Sequence, residues 1–150
     1  LYLPLEEDDN NGHLKELKEY SSGLIYFRDF RMYRCNHFTI GLKKLASYKI
    51  KFPHPIGIVI GIGVEFGSNC IVYQNVTIGT KGKELTKDGE VDKYPKLGDN
   101  VIVYPSSILI GDITIGNNVI IGAGTLVTKS IPSNSMVYGN PFKIIPYLPK

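Results

Sequence analysis

A chain of 150 residues suits one domain with its own core. Hydrophobic residues make up 43% of it and charged residues 21%, which excludes a disordered or fibrous chain. A net charge of +3 falls short of the concentrated basic face that nucleic-acid binding needs, and no apolar run is long enough to span a membrane.

The chain opens on an acidic lead-in, "LYLPLEEDDN". From Gly12 to Cys35 the spacing of Leu14, Leu17, Leu24, Ile25 and Phe27 predicts helix, broken at "SSG" into two short pieces. A third helix is predicted over Thr39–Tyr48, with Ile40, Leu42 and Leu45 as its apolar side and Thr39 as N-cap. Residues 1–50 thus read as an N-terminal helical segment. Cys35 and Cys70 lie far apart and form no CxxC. That spacing argues against a disulfide or metal framework and fits a reducing compartment, the cytoplasm. No signal peptide is visible, and the sequence does not start with Met.

The pattern then changes to a beat of six. Ile60, Phe66, Val72 and Ile78 share one phase, and Leu97, Val103, Leu109, Ile115, Ile121 and Val127 share another. Gly often follows the large residue. A smaller or branched one sits four places after it: Val64, Cys70, Val76, Val101, Ser107, Ile113, Val119, Thr125 and Ile131. A fixed short period marks a solenoid. Each hexad supplies a short strand and a corner, three hexads close one triangular coil, and the large residue and its partner point inward. The predicted fold is an all-β solenoid, a parallel β-helix of hexapeptide repeats over residues 51–136. The interval from Ile78 to Leu97 is one residue longer than three hexads, and the polar stretch 80–96 reads as a loop thrown out from the coil. Residues 137–150 read as a tail that caps the open end.

These residues carry a resemblance. The hexads, the extruded loop and the "GNPFKII" ending resemble the hexapeptide-repeat acyltransferases, and within them the serine O-acetyltransferases and their polysaccharide-cluster relatives. "HPIGIVIG" is similar to that family's His-x-x-Gly-Ile-Val-x-Gly segment, and "QNVTIG" to its Gln-x-Val-Thr-Leu-Gly. "YPKLGDNVIV" and "IGAGTLVTKSIP" match the coils that follow. The resemblance implies a left-handed coil, a homotrimer with active sites in the grooves between neighbouring β-helices, acetyl-CoA as donor, a hydroxyl as acceptor and no metal.

His54 stands where the family has its essential histidine. An imidazole suits the role of base, because a hydroxyl attacking a thioester must lose its proton as the bond forms. His13 and His37 fall in the helical lead. Composition alone reads His54 as the end of a connecting segment; the resemblance reads it as catalytic. It also falls six before Ile60, an inward slot by phase, so an irregular coil with the ring turned to a groove is expected there. For the donor, Ala123 matches the family's small third-place residue, and Pro105 takes that place one coil earlier. Lys129, Lys81 and Lys83 are candidates for a CoA phosphate or for simple solvated charge. Gly79 is either a site glycine beside Thr80 or a plain corner glycine. Gln74, Lys93 and Tyr94 are assigned to the acceptor.

Serine acetyltransferases have Asp directly before the histidine and Arg-His-Pro-Lys at the loop's end. Here those places hold Pro53 and Lys93-Tyr94-Pro95-Lys96. Lysine does not reproduce the two-pronged hold of Arg on a carboxylate. The reading is therefore an O-acetyltransferase whose acceptor is a sugar of a polysaccharide precursor, with L-serine as the alternative. An inactive assembly scaffold is a further alternative. A zinc-dependent β-helix would need three converging histidines, and the repeat has only His54.

Overall fold

The computed structural model describes residues 36–40, 45, 47–86 and 89–148. Most of the predicted helical lead lies outside these residues. Within the third predicted helix, Leu45 and Ser47 are helical, while Thr39 and Ile40 form a turn. His37 is not helical: it belongs to a strand, β1 (His37–Phe38).

The remaining strands wind in coils. The first coil holds β2 (Val59–Ile60), β3 (Glu65–Phe66) and β4 (Ile71–Val72). The second opens with β5 (Thr77–Gly79), sends out a hairpin of β6 (Lys83–Thr86) and β7 (Gly89–Asp92), and resumes with β8 (Lys96–Leu97) and β9 (Ile102–Val103). The third holds β10 (Ile108–Ile110), β11 (Thr114–Ile115) and β12 (Val119–Ile121). The fourth holds β13 (Leu126–Val127), the bridge residue Ile131 and β14 (Ser135–Tyr138). Finally β15 (Lys143–Pro146) turns back antiparallel to β14.

Three sheets, parallel except for the returning β15, form the sides of the prism. Side one is ordered β1-β2-β5-β10-β13, side two β3-β8-β11, and side three β4-β9-β12-β14-β15. The hexad phase explains this directly, since residues in one phase stack in register. Ile60, Ile78, Leu109 and Val127 form the inner column of side one. Phe66, Leu97, Ile115 and Ile131 form that of side two, and Val72, Val103, Ile121 and Val137 that of side three. The residues two places before these also point in, and Ile58, Val64, Cys70, Val76, Val101, Ile113 and Val119 are all buried. Burying such side chains gives about 1.5–3 kcal/mol each before chain entropy is counted.

Register refines the reading of the repeat in three places. Ile78 and Leu97 are neighbours on consecutive sides, as are Leu109 and Ile115, so the interval is a single side carrying an insertion of thirteen residues, rather than three hexads with one extra. Ile131 pairs with Ile115, so it is the strand residue of side two and not a corner partner; the corner before it is two residues shorter than its predecessor. Val137 is fully buried and belongs to the core, with the returning strand following it.

The corners explain the asparagines and glycines. Asn69, Asn100, Asn118 and Asn134 all sit at φ between 55° and 58°, stacked where side two meets side three. Asparagine is among the few residues that tolerate this left-handed geometry. Just before them, a Cβ on Gly67 would lie 2.5 Å from the Gly98 carbonyl carbon, and one on Gly98 would lie 2.2 Å from Asn117 Oδ1.

Candidate functional site

The corner between sides three and one carries His54. Its local fold follows from a surplus. Lys51 pairs with Ile71, and the Asn75 amide donates to the Ile56 carbonyl, so Gly57 stands over Asn75. Six positions separate Lys51 from Gly57 where four separate Ile71 from Asn75. Two extra residues are therefore accommodated around Pro53 and His54, and they lift the histidine out of the inward slot that phase assigns it. Phe52 lines up with Val72 instead, and His54 is exposed.

The corner is tied down by the residue just before β1. Asn36 Nδ2 donates to the Pro55 carbonyl at 2.8 Å, and Asn36 Oδ1 accepts from the Ile58 amide at 2.8 Å. The Ile56 amide donates to the His54 carbonyl at 2.9 Å. The imidazole itself lies 6.2 Å, centroid to centroid, from Tyr73, tilted by 44°. Tyr73 in turn stacks on Tyr104 one coil further on, at 5.1 Å and 11°.

The other assigned residues fall into two groups. Gln74 and Ala123 share the corner of His54. Successive amides step along it from Ile56 through Gln74 and Pro105 to Ala123, and Pro105 is thus the coil equivalent of Ala123. Gln74 Oε1 is buried with no hydrogen-bond partner among the described residues. Gly79, Thr80, Lys81, Lys93, Tyr94 and Lys129 lie at the opposite edge of side one, where it meets side two. The side chain of Lys83 is outside the described residues. One chain therefore does not bring His54 together with the loop residues; a strand of side one, on the order of 10 Å, separates them.

At that second corner several residues have local partners. Thr80 Oγ1 and the Gly82 amide hydrogen-bond at 3.0 Å and start the hairpin. Lys93 Nζ pairs with Asp112 at 3.1 Å. The Lys81 stem lies against Gly111, where a Cβ would meet Lys81 Cδ at 3.0 Å. The Tyr94 ring fills a slot over Gly61 and Gly63; a Cβ on either glycine would fall within 2.5 Å of the ring. Tyr94 thus spends its ring on its own chain, anchoring the end of the hairpin. Gly79 differs from these glycines: a Cβ there meets nothing within 4 Å. Neither crowding nor a positive φ requires glycine at that place. Lys129 and Ala123 are exposed.

Sequence reasoning passed over Tyr73, Tyr104 and Asn36. The two tyrosines were legible as the residues directly after the inward Val72 and Val103, in a slot that elsewhere often holds glycine. Asn36 carried no signal, because its partners lie nineteen and twenty-two residues away. Among the described residues no group of three or more His, Cys, Asp or Glu side chains is placed to hold a metal ion. No helix among them is long and apolar enough to cross a membrane.

Comparison with known proteins agrees with this architecture. Residues 94–129 match the family described as bacterial transferase hexapeptide (six repeats). A serine acetyltransferase of Staphylococcus xylosus is 42% identical over 92 residues, which cover 61% of this chain and 40% of that protein. The crystal structure of Neisseria gonorrhoeae serine acetyltransferase superposes with a TM-score of 0.60 at 30% identity, covering 77% of this chain and 41% of that one. A soybean serine acetyltransferase solved with serine gives a TM-score of 0.58 at 29% identity, covering 74% of this chain and 40% of that one. The chain spans about two fifths of the length of these relatives. With its stacked hexads, extruded hairpin and these likenesses, the chain is a left-handed β-helix of hexapeptide repeats, similar along that helix to the serine acetyltransferases.

Proposed function

We propose that this β-helix transfers an acetyl group from acetyl-CoA to a hydroxyl, with His54 as general base and L-serine as the acceptor. The observation that carries the reading is the exposed imidazole on a corner that two surplus residues push out of the core. The imidazole takes the hydroxyl proton as the oxygen attacks the thioester carbonyl. The negative oxygen of the tetrahedral intermediate then needs fixed donors until it collapses, breaking the C–S bond and expelling the CoA thiolate, which takes up the proton held by the imidazolium. The likeness to serine acetyltransferases favours serine over the sugar acceptor expected from the sequence, so that order is reversed here.

A sugar hydroxyl stays as the second reading on one specific observation. Pro53 precedes His54, and Lys93, already paired to Asp112, stands where an Arg would grip the serine carboxylate. The acceptor test follows thiol release from acetyl-CoA with L-serine and nucleotide sugars side by side. Turnover with serine that His54→Ala lowers by at least a hundredfold supports the main reading. Turnover only with a sugar moves it to the second, and undiminished turnover in His54→Ala sinks both.

The site is completed by assembly in this reading. His54 and the Gly79 corner lie at opposite edges of side one, so a groove holding both is built from two chains. The outer face of side one offers an apolar strip for such packing: Val59, Ile108 and Leu126, in register through Thr77, are 36%, 39% and 41% exposed. A homotrimer closes three such grooves. Acetyl-CoA then runs beside Ala123 of one chain, with Gly79, Thr80 and Lys81 of the next at its thioester end and Lys129 available to a phosphate. Gln74 and Tyr94 border the acceptor. A cytoplasmic setting goes with this donor.

A further inference from the structure

A histidine base works only if its ring is aimed, and a carboxylate hydrogen-bonded to the second ring nitrogen is the usual means. Here the residue before His54 is Pro53, which has no acid to offer. Among the described residues the imidazole has one neighbour of defined geometry, the Tyr73 ring at 6.2 Å and 44°. That separation falls inside the range of favourable ring pairs.

The contact is not isolated. Asn36 brackets the backbone on the far side of the corner, accepting from Ile58 and donating to Pro55. With the backbone held, the torsions of the imidazole are what is left to fix. Tyr73 stands over them, and it is itself held flat by Tyr104 at 5.1 Å and 11°. Tyr73 and Tyr104 are held in turn by the coil, their amides donating to Val103 and Ile121 at 3.0 and 2.9 Å. The column runs from a rigid sheet to the reacting residue without a charged group.

We infer that the Tyr73–Tyr104 stack is an aromatic brace that sets the orientation of the His54 imidazole, making Tyr73 a positioning residue and Tyr104 its support. The inference rests on His54 being the base. It specifies what aims that base: ring contact, which phenylalanine supplies as well as tyrosine and leucine does not.

The test compares Tyr73→Leu, Tyr73→Phe and Tyr104→Leu with the parent chain, each checked for folding by circular dichroism. Two quantities are read: kcat and KM for acetyl transfer, and the chemical shifts of the carbon-bound ring protons of His54, assigned with His54→Ala. Tyr73→Leu is expected to lower kcat roughly tenfold, in keeping with the cost of small misplacements, with KM nearly unchanged. The His54 ring protons should move as they lose the Tyr73 ring current. Tyr73→Phe should keep both near parent values, and Tyr104→Leu should move both part of the way. Loss of thermal stability with unmoved His54 resonances would show packing alone and overturn the brace. So would parent-like kcat in Tyr73→Leu. If Tyr73→Leu does not fold, unmoved His54 resonances in Tyr104→Leu overturn it instead. The resonances report on the brace even without turnover, so failure of His54 as base is told apart from failure of the brace.

Discussion

Single residues test how strictly each inward slot wants an apolar group. Thr125 occupies one and is fully buried, yet its Oγ1 has no partner among the described residues. Ser107, one coil earlier, satisfies its hydroxyl on carbonyls of Tyr104 and Gly122, each at 2.8 Å. An unpaired buried hydroxyl costs about 1–3 kcal/mol. Thr125→Val removes it at nearly the same shape and should raise unfolding stability by about 1 kcal/mol in a urea titration. Ser107→Ala, which loses a made bond, should not stabilise. Cys70 fills another inward slot, and burial pushes its thiol from 9.0 up to about 11, with Asp99 adding to the rise. A raised folded value means the folded chain holds its proton longer than the unfolded one. The stability from Cys70 is therefore complete below pH 9 and drains away as pH climbs towards about 11. Cys70→Ala, compared over that window, should flatten the fall. These slots were legible because apolar side chains recur every six places. The outward turn of His54 was not, because it depends on two surplus residues whose effect appears only when Lys51 is set against Ile71.

Strands of two to four residues cannot hold themselves, so each coil leans on the corners of the next. Where side two meets side three the lean is visible as a ladder. Asn69 Nδ2 donates to Asn100 Oδ1 at 3.3 Å, Asn100 to Asn118 at 2.9 Å, and Asn118 to Asn134 at 2.9 Å. A second rail runs beside it, from the Ser68 amide to Asp99, the Asp99 amide to Asn117, and the Asn117 amide to Ser133. Asn100→Ala removes two rungs and forces alanine to φ 55°. The combined cost should be about 2 kcal/mol; Asn100→Gly, free of the backbone penalty, should cost less. Equilibrium unfolding of the two variants separates the terms. The strands were readable from the sequence, and so was the presence of an excursion after Ile78. Its true length was not, because an interval of nineteen looks like three hexads and a slip until register shows it to be one side.

The coil as a whole must deal with its ends and its outer faces. At the C-terminal end β15 lies antiparallel on β14, while β1 extends side one beyond β2 at the other. The outer face of side one keeps its apolar strip, and single exposed apolar residues are ordinary whereas an aligned row is not. Leu126→Glu puts a charge into that row. In the proposed trimer it should convert the assembly to monomers by light scattering and lower acetyl transfer at least tenfold, with circular dichroism unchanged. A monomeric parent chain would count strongly against grooves made from two chains. The prism was evident from periodicity alone. Its assembly was not, since a six-residue beat reports what points inward and says nothing of what outward faces meet.

The unequal coils have a mechanical consequence. Among the described residues each coil pairs along the axis with its neighbouring coils, so a load applied to the C-terminal end peels them off one after another. Each detachment frees thread in proportion to its residues, at about 3.5 Å apiece. Between side-three residues Val137, Ile121, Val103 and Val72 the intervals are sixteen, eighteen and thirty-one residues. A stretched molecule would lengthen in two similar steps of roughly 60 Å and then one of roughly 110 Å as the hairpin coil gives way. The hairpin insertion is thereby also a store of slack, released only when the coil beneath the histidine is next to go.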